Sequence, residues 1–181
     1  MQRTKILRRI CLSGSAALWL ASVLAYGQST EITTDYVMTL YAPLEAPQQI
    51  DSSLFIYNVR DGGWVKGPKI NGTMISPGAD WLRVMPGGNL RTDIRATIKT
   101  DDGALIHITY NGIISHTQQS FERLMKGETL TSKDHYFMTA PTMETASEKY
   151  AWLNHAQFVG KVVSVKLGEG SFVKYDIYTV R

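Results

Sequence analysis

The strand-like run Asp93-Ile94-Arg95-Ala96-Thr97-Ile98-Lys99 carries the residues in this chain best suited to chemistry. Alternation places Ile94, Ala96 and Ile98 on one face and Asp93, Arg95, Thr97 and Lys99 on the other. If the apolar face packs on a core, the polar face meets either solvent, as a salt-bridged exterior, or an enclosed cavity. The next run offers the same choice, with Ala104, Ile106, Ile108 and Tyr110 on one side and Leu105, His107, Thr109 and Asn111 on the other. Upstream, Ser76-Pro77-Gly78-Ala79-Asp80-Trp81 adds an acid and an indole. Acids, an arginine and a tryptophan strung along otherwise apolar strands suggest a β-barrel with a ligand-accepting interior. The alternation alone leaves open which face is inward.

Other chemistries fit poorly. His107, His116, His135 and His155 show no H-x-H or H-E-x-x-H spacing, so no dedicated metal site is expected. The chain contains no Gly-x-Ser-x-Gly, phosphate loop or dinucleotide fingerprint, and no cofactor is implied. Asn71-Gly72-Thr73 matches a glycosylation pattern, but a tight turn accounts for it.

The elements that would position these residues read as all-β. Tyr36 to Tyr41 alternates and is closed by Pro43 and Pro47, and Ser53 to Val59 ends at Asp61-Gly62-Gly63. Asn71-Gly72 reads as a tight turn. Ser76-Pro77-Gly78 and Pro86-Gly87-Gly88-Asn89 punctuate the chain again. Leu90–Thr100 and Ala104–Tyr110 flank Asp101-Asp102-Gly103 as a hairpin. Gln118 to Lys126 fits a short helix with Phe121, Leu124 and Met125 on one face, ended by Gly127. A strand around Tyr136–Thr139 then gives way to a long connection through Ala140-Pro141 and Glu144 to Ser147. Trp152–Val165 and Ser171–Val180, joined by Gly168-Glu169-Gly170, close the fold. Strands at this spacing, all joined by turns, point to an antiparallel barrel or sandwich with a short helix or long loop between its later strands. A long connection of this kind is more often functional than idle, and this one is placed to cover a barrel mouth.

The first residues follow a different logic. Arg3, Lys5, Arg8 and Arg9 precede an apolar run from Ala16 to Tyr26, and Ala25-Tyr26-Gly27 has the layout of a signal-peptidase site. Residues 1–27 are therefore expected to be a secretory signal cleaved before Gln28, leaving 28–181 as one domain in the periplasm or outside the cell. The alternative is an uncleaved N-terminal anchor, although the run falls short of the roughly 20 apolar residues of a comfortable span. Arg8-Arg9 also resembles, weakly, a twin-arginine signal. Cleavage would remove four basic residues and the single cysteine, Cys11, leaving fifteen Lys and Arg against sixteen acids. The basic balance of the full chain thus reflects targeting, and no nucleic-acid footprint remains. No lasting membrane association is expected after cleavage.

Several ordered motifs are shared with one family. Ser76-Pro77-Gly78-Ala79-Asp80-Trp81, Asp93-Ile94-Arg95, Thr100-Asp101-Asp102-Gly103-Ala104-Leu105-Ile106, Thr139-Ala140-Pro141-Thr142-Met143-Glu144-Thr145, Tyr150-Ala151-Trp152-Leu153-Asn154 and Val173-Lys174-Tyr175-Asp176-Ile177-Tyr178 resemble the DUF3237 family, also called UPF0311. Met138 and Met143 depart from it, standing where the pattern calls for an Arg and an aromatic. The resemblance implies a compact antiparallel β-barrel in a family mostly of unassigned function, with some fungal relatives linked to ring closure in secondary metabolism. It also turns the polar residues into a pocket hypothesis. Asp93, Arg95, Glu144 and Tyr110 form the candidate catalytic set. Asp80, Trp81, Asp102, Trp152 and Asn154 form the candidate ligand-binding set.

Within that hypothesis Asp80, Asp93, Glu144 and Asp102 are the candidate acids or bases, because an apolar-walled cavity raises a carboxyl pKa toward working pH. Arg95 pairs with a carboxylate or grips an anionic ligand group, and Tyr110 donates a proton or polarises a carbonyl. Trp81 and Trp152 wall the ligand, and Asn154 orients a ligand oxygen. Structural roles stand beside each: Asp80 capping its turn, Asp101 and Asp102 shaping their hairpin, Trp81 and Trp152 filling core. Two functions follow. One is a cofactor-independent lyase, isomerase or cyclase acting on an aromatic or polyketide-like compound. The other is a lipocalin-like binding protein for an apolar or aromatic small molecule. A homodimer through exposed strands is compatible with either.

Overall fold

The computed structural model describes residues 30–181, so the expected signal segment 1–27 lies outside the described residues. In chain order the strands are β1 (Thr34–Pro43), β2 (Gln48–Gln49), β3 (Leu54–Asn58), β4 (Trp64–Lys66), β5 (Asn71–Val84), β6 (Leu90–Thr100) and β7 (Leu105–Ser115). Helix α1 (Gln118–Met125) follows, then β8 (Leu130–Thr131), β9 (Tyr136–Glu144), a 3-10 segment (Glu148–His155), β10 (Gln157–Lys166) and β11 (Phe172–Val180). All pairings are antiparallel, and β5, β4, β1, β11, β10, β9, β7 and β6 form a ring that the β5–β6 pairing closes. Closure removes the exposed edges that an open sheet would offer to other chains.

The pleat sorts side chains between inside and outside. In β6, Ile94, Ala96 and Ile98 are buried while Arg91, Arg95 and Lys99 are exposed, so the apolar face of this strand points inward. Met38, Leu40, Val65, Ile106, Ile108, Phe158 and Ile177 complete the packed interior with almost no exposure. The hairpin end of the barrel is sealed by the 3-10 segment, which buries Tyr150 and Leu153. Asp102 at the β6–β7 tip accepts a hydrogen bond from the Tyr150 hydroxyl at 3.2 Å and pairs with Lys149. The opposite end lies under α1, whose Leu124 is buried.

Several local expectations need correction. Asn71-Gly72 is not a turn but the start of β5; the turn is Gly67-Pro68-Lys69-Ile70, and the Asn71 side chain closes it by bonding both Gly67 N and Gly67 O at 3.2 Å. Ser76-Pro77-Gly78 likewise lies within β5. There β5 takes four steps, Ile75 to Ala79, while β6 takes two, Thr97 to Arg95, so the three residues form a bulge. Helix α1 forms as expected, with Thr117 as N-cap in a capping box with Ser120, but Phe121 and Met125 are exposed and Ser120 and Leu124 are its buried residues. The supposed loop 140–144 is the second half of β9, and Trp152 with Asn154 belongs to the 3-10 segment instead of a strand.

Gly72 shows how tightly β5 meets β6. A Cβ there would lie 2.3 Å from the Lys99 carbonyl oxygen and 2.7 Å from the Thr100 Cα, both backbone atoms that cannot move without opening the ring. Gly72→Ala is expected to lower unfolding stability by about 1–3 kcal/mol in urea titration, the ordinary cost of overpacking. An unchanged midpoint would show that the strands separate more easily than this contact implies.

Candidate functional site

Cross-strand register assembles the site. Tyr57 of β3 faces Asp80 of β5, Asp80 faces Ile94 of β6, and Ile94 faces Tyr110 of β7. Directly opposed residues share a face, and Ile94 and Tyr110 are buried, so all four point into the barrel. Tyr175 of β11 enters the same space, its ring set edge-on to Tyr110 with centroids 5.7 Å apart. Together they line a cavity of about 70 Å³ whose other walls are mostly aliphatic and aromatic, including Phe137 and Val173. At the α1 end Leu124, His116 and His135 close it.

Asp80 occupies a break in the wall. Between Asp80–Ile94 and Arg83–Arg91 the β5–β6 ladder has no pairs, and the Asp80 carboxylate stands in for them. Its Oδ1 accepts the Thr92 hydroxyl at 2.6 Å and the Asp93 backbone N–H at 3.1 Å. Desolvation pushes the Asp80 carboxyl up to about 6, with the nearby Asp93 charge adding a little and the two hydrogen bonds acting the other way. Burial also raises Tyr57, Tyr110 and Tyr175, and the Asp80 charge adds to each, so these phenols stay protonated and serve as donors. A proton acceptor poised near neutrality among protonated hydroxyls can move a proton and steady an oxyanion.

His116 and His135 stack with ring centroids 5.4 Å apart, and none of their four ring nitrogens has a hydrogen-bond partner in the protein. Burial, helped by His135, pushes His116 down to about 4. His135 is lowered by burial against the pull of Asp134. Both are neutral at pH 7, each offering one donor and one acceptor. Among the described residues no group of three His, Cys, Asp or Glu is placed to hold a metal ion.

The nine sequence-predicted residues separate into distinct places. Asp80 and Tyr110 share the cavity. Asp93, Arg95 and Trp81 lie together on the outer face, where the Arg95 guanidinium sits over the Trp81 ring at 5.4 Å and reaches Asp93 at 3.5 Å. Glu144 is exposed at the end of β9. Asp102 ties the hairpin to the 3-10 segment. Asn154 bridges Thr145 N and Thr145 O at 2.8 and 2.9 Å, bracing a loop. Trp152 packs on Phe158 and lies under Lys69. Tyr57, Tyr175, His116 and His135 were not among the candidates. Tyr175 carries a signal, since period-two alternation puts it on the same face as Val173 and Ile177, whereas the histidines sit at strand ends where alternation says nothing.

Known proteins share this architecture. The sequence profile described as "Protein of unknown function (DUF3237)" matches residues 32–180. A UPF0311 protein from Clostridium acetobutylicum is 38% identical over 97 residues, which is 54% of this chain and 61% of that protein. The chain therefore spans less than two thirds of that curated relative. The crystal structure of a conserved protein of unknown function from Rhodopseudomonas palustris superposes with a TM-score of 0.75 at 28% identity, covering 84% of this chain and 100% of that one. A protein named as a hydroalkoxylation enzyme, from Penicillium herquei, is 28% identical over 127 residues, 70% of this chain and 68% of its own.

The desolvated carboxyl has a consequence for stability. An Asp whose folded pKa lies above its unfolded value of about 3.9 contributes stability that is full below pH 4 and is lost as pH rises through 6. In Asp80→Asn, which keeps an acceptor for Thr92 and Asp93, that loss should vanish. Urea titrations between pH 4 and pH 7.5 should show the variant gaining on the wild type by on the order of 2 kcal/mol. Parallel profiles would mean that Asp80 is as well solvated as a surface acid.

Proposed function

The chain belongs to the DUF3237 family, and from that premise we propose that it is an exported small-molecule pocket protein in which Asp80 performs cofactor-independent acid–base chemistry on an aromatic or polyketide-like compound. The observation that carries this reading is the Asp80 carboxyl, raised to about 6 among Tyr57, Tyr110 and Tyr175 inside an apolar barrel. Lyase, isomerase and cyclase reactions of this kind share one requirement. A base removes a proton from a ligand hydroxyl or acidic carbon, and an acid returns one elsewhere. Deprotonated Asp80 takes the first proton, and the protonated form gives it back. Tyr110 and Tyr175 donate to the oxygen on which charge develops. Of the candidate acids and bases, Asp80 alone lies in the cavity with Tyr110, so the acid–base role falls to it and not to Asp93 or Glu144. The related hydroalkoxylation enzyme supports a barrel of this family serving as a catalyst.

The cavity, about 70 Å³, is smaller than the 300–1,000 Å³ common for ligand sites, so binding a ring compound requires lining side chains to move apart. The largely apolar lining also suits a lipocalin-like binding protein, and one residue separates the two readings. With a panel of phenolic and polyketide-like compounds, native mass spectrometry should detect a captured ligand in both wild type and Asp80→Asn. Only the wild type should convert it, with a loss in the variant of about 100-fold or more. Capture without conversion in either protein would leave the binding reading. Conversion at equal rates would move the chemistry away from Asp80.

Export rests on the leader pattern of residues 1–27. Expressed in a Gram-negative host, the protein should appear in the periplasmic fraction with Gln28 as its first residue. Retention of the leader would argue for the anchor instead.

A further inference from the structure

On the outer side of the broken β5–β6 ladder, three guanidiniums converge with little acid to balance them. Arg83 and Arg91 stand directly opposite each other across the two strands, an arrangement in which like charges weaken pairing. Among the described residues neither takes part in an ion pair, and Arg95 has only Asp93, at 3.5 Å. Asp51 feels Arg83 at longer range, but its Oδ1 is already engaged by the N–H groups of Ser53 and Leu54 and by the Ser53 hydroxyl. The surface between these groups is concave. It forms a groove of about 520 Å³ bordered by Trp81, Leu54 and Met85, within the range typical of small-ligand sites. The excess of positive charge is local, because basic and acidic residues nearly balance beyond residue 27.

We infer that this groove is a second binding site, on the opposite side of the wall from the barrel cavity, for a small aryl anion: an aromatic ring bearing a phosphate or carboxylate. Arg83 and Arg91 present planar forks that match such a group with paired, charge-assisted hydrogen bonds, and the anion relieves their mutual repulsion. The ring lies along Trp81 and the apolar edge made by Leu54. Arg95, held over Trp81, closes the third side. The site differs in kind from the interior, where an anion would meet the Asp80 carboxylate and aliphatic walls.

Isothermal titration of the full chain with phenyl phosphate, inorganic phosphate and phenol tests the inference. Phenyl phosphate should bind saturably and inorganic phosphate about tenfold more weakly, while any binding of phenol should be unaffected by the arginine substitutions below. Arg83→Gln and Arg91→Gln should each weaken phenyl phosphate by about tenfold or more, and Trp81→Leu should abolish the preference over inorganic phosphate. Asp80→Asn should change none of these affinities, so failure here is distinct from failure of the interior reading. The inference is overturned if the wild type shows no saturable binding of phenyl phosphate. It is equally overturned if both arginine variants, with wild-type circular dichroism, bind unchanged, or if Asp80→Asn abolishes binding.

Discussion

A carboxylate placed in the wall of an apolar barrel is unfavourable unless something fixes it there, and the arrangement around Asp80 follows from how that is done. The carboxylate replaces missing ladder pairs, taking the N–H of Asp93 and the hydroxyl of Thr92. Those two bonds satisfy Oδ1, while desolvation by the surrounding wall holds the proton affinity of the group high. The same substitution that lets the strands separate locally gives the interior a titratable group. Structure and reactivity at this point have one cause.

The ring of strands supplies the rest of the site through register. Tyr57, Asp80, Ile94 and Tyr110 fall in one cross-strand row because β3, β5, β6 and β7 pair without slippage there. Tyr175 reaches the row from the far side, set by the β1–β11 and β10–β11 pairings. The pleat then divides the labour of the wall: one face gives a protonated phenol cluster around a carboxyl, the next face gives guanidiniums around an indole. Tight contacts such as Gly72 against Lys99 hold β5 and β6 close enough for this division to be definite.

Much of this was legible in the sequence, and the failures have physical reasons. The hairpin at Asp101-Asp102-Gly103 and the turn at Gly168-Glu169-Gly170 follow from glycines at positive φ between alternating runs. The antiparallel barrel and the DUF3237 resemblance both stand. Asp80 was harder to place, because Ser76-Pro77-Gly78 has the composition of a turn. Here it is a bulge of two extra residues, and an even insertion preserves the alternation that puts Asp80 on the same face as Met74. Asp93 and Arg95 stand out in the sequence as a polar pair, yet burial of Ile94, Ala96 and Ile98 commits them to the exterior. Periodicity shows that two faces differ; only the closed sheet shows which one encloses space. The histidine pair had no signal at all, since His116 and His135 meet through chain segments separated by α1.

The proposed chemistry depends on the ionisation of one side chain, Asp80. A carbon-detected NMR titration of the aspartate carboxyls in the wild-type protein, with Asp80 assigned by its absence in Asp80→Asn, measures it directly. Asp80 should titrate with a midpoint near 6. A midpoint near 4, the ordinary range of a solvated aspartate, would contradict a desolvated acid–base group in the barrel wall.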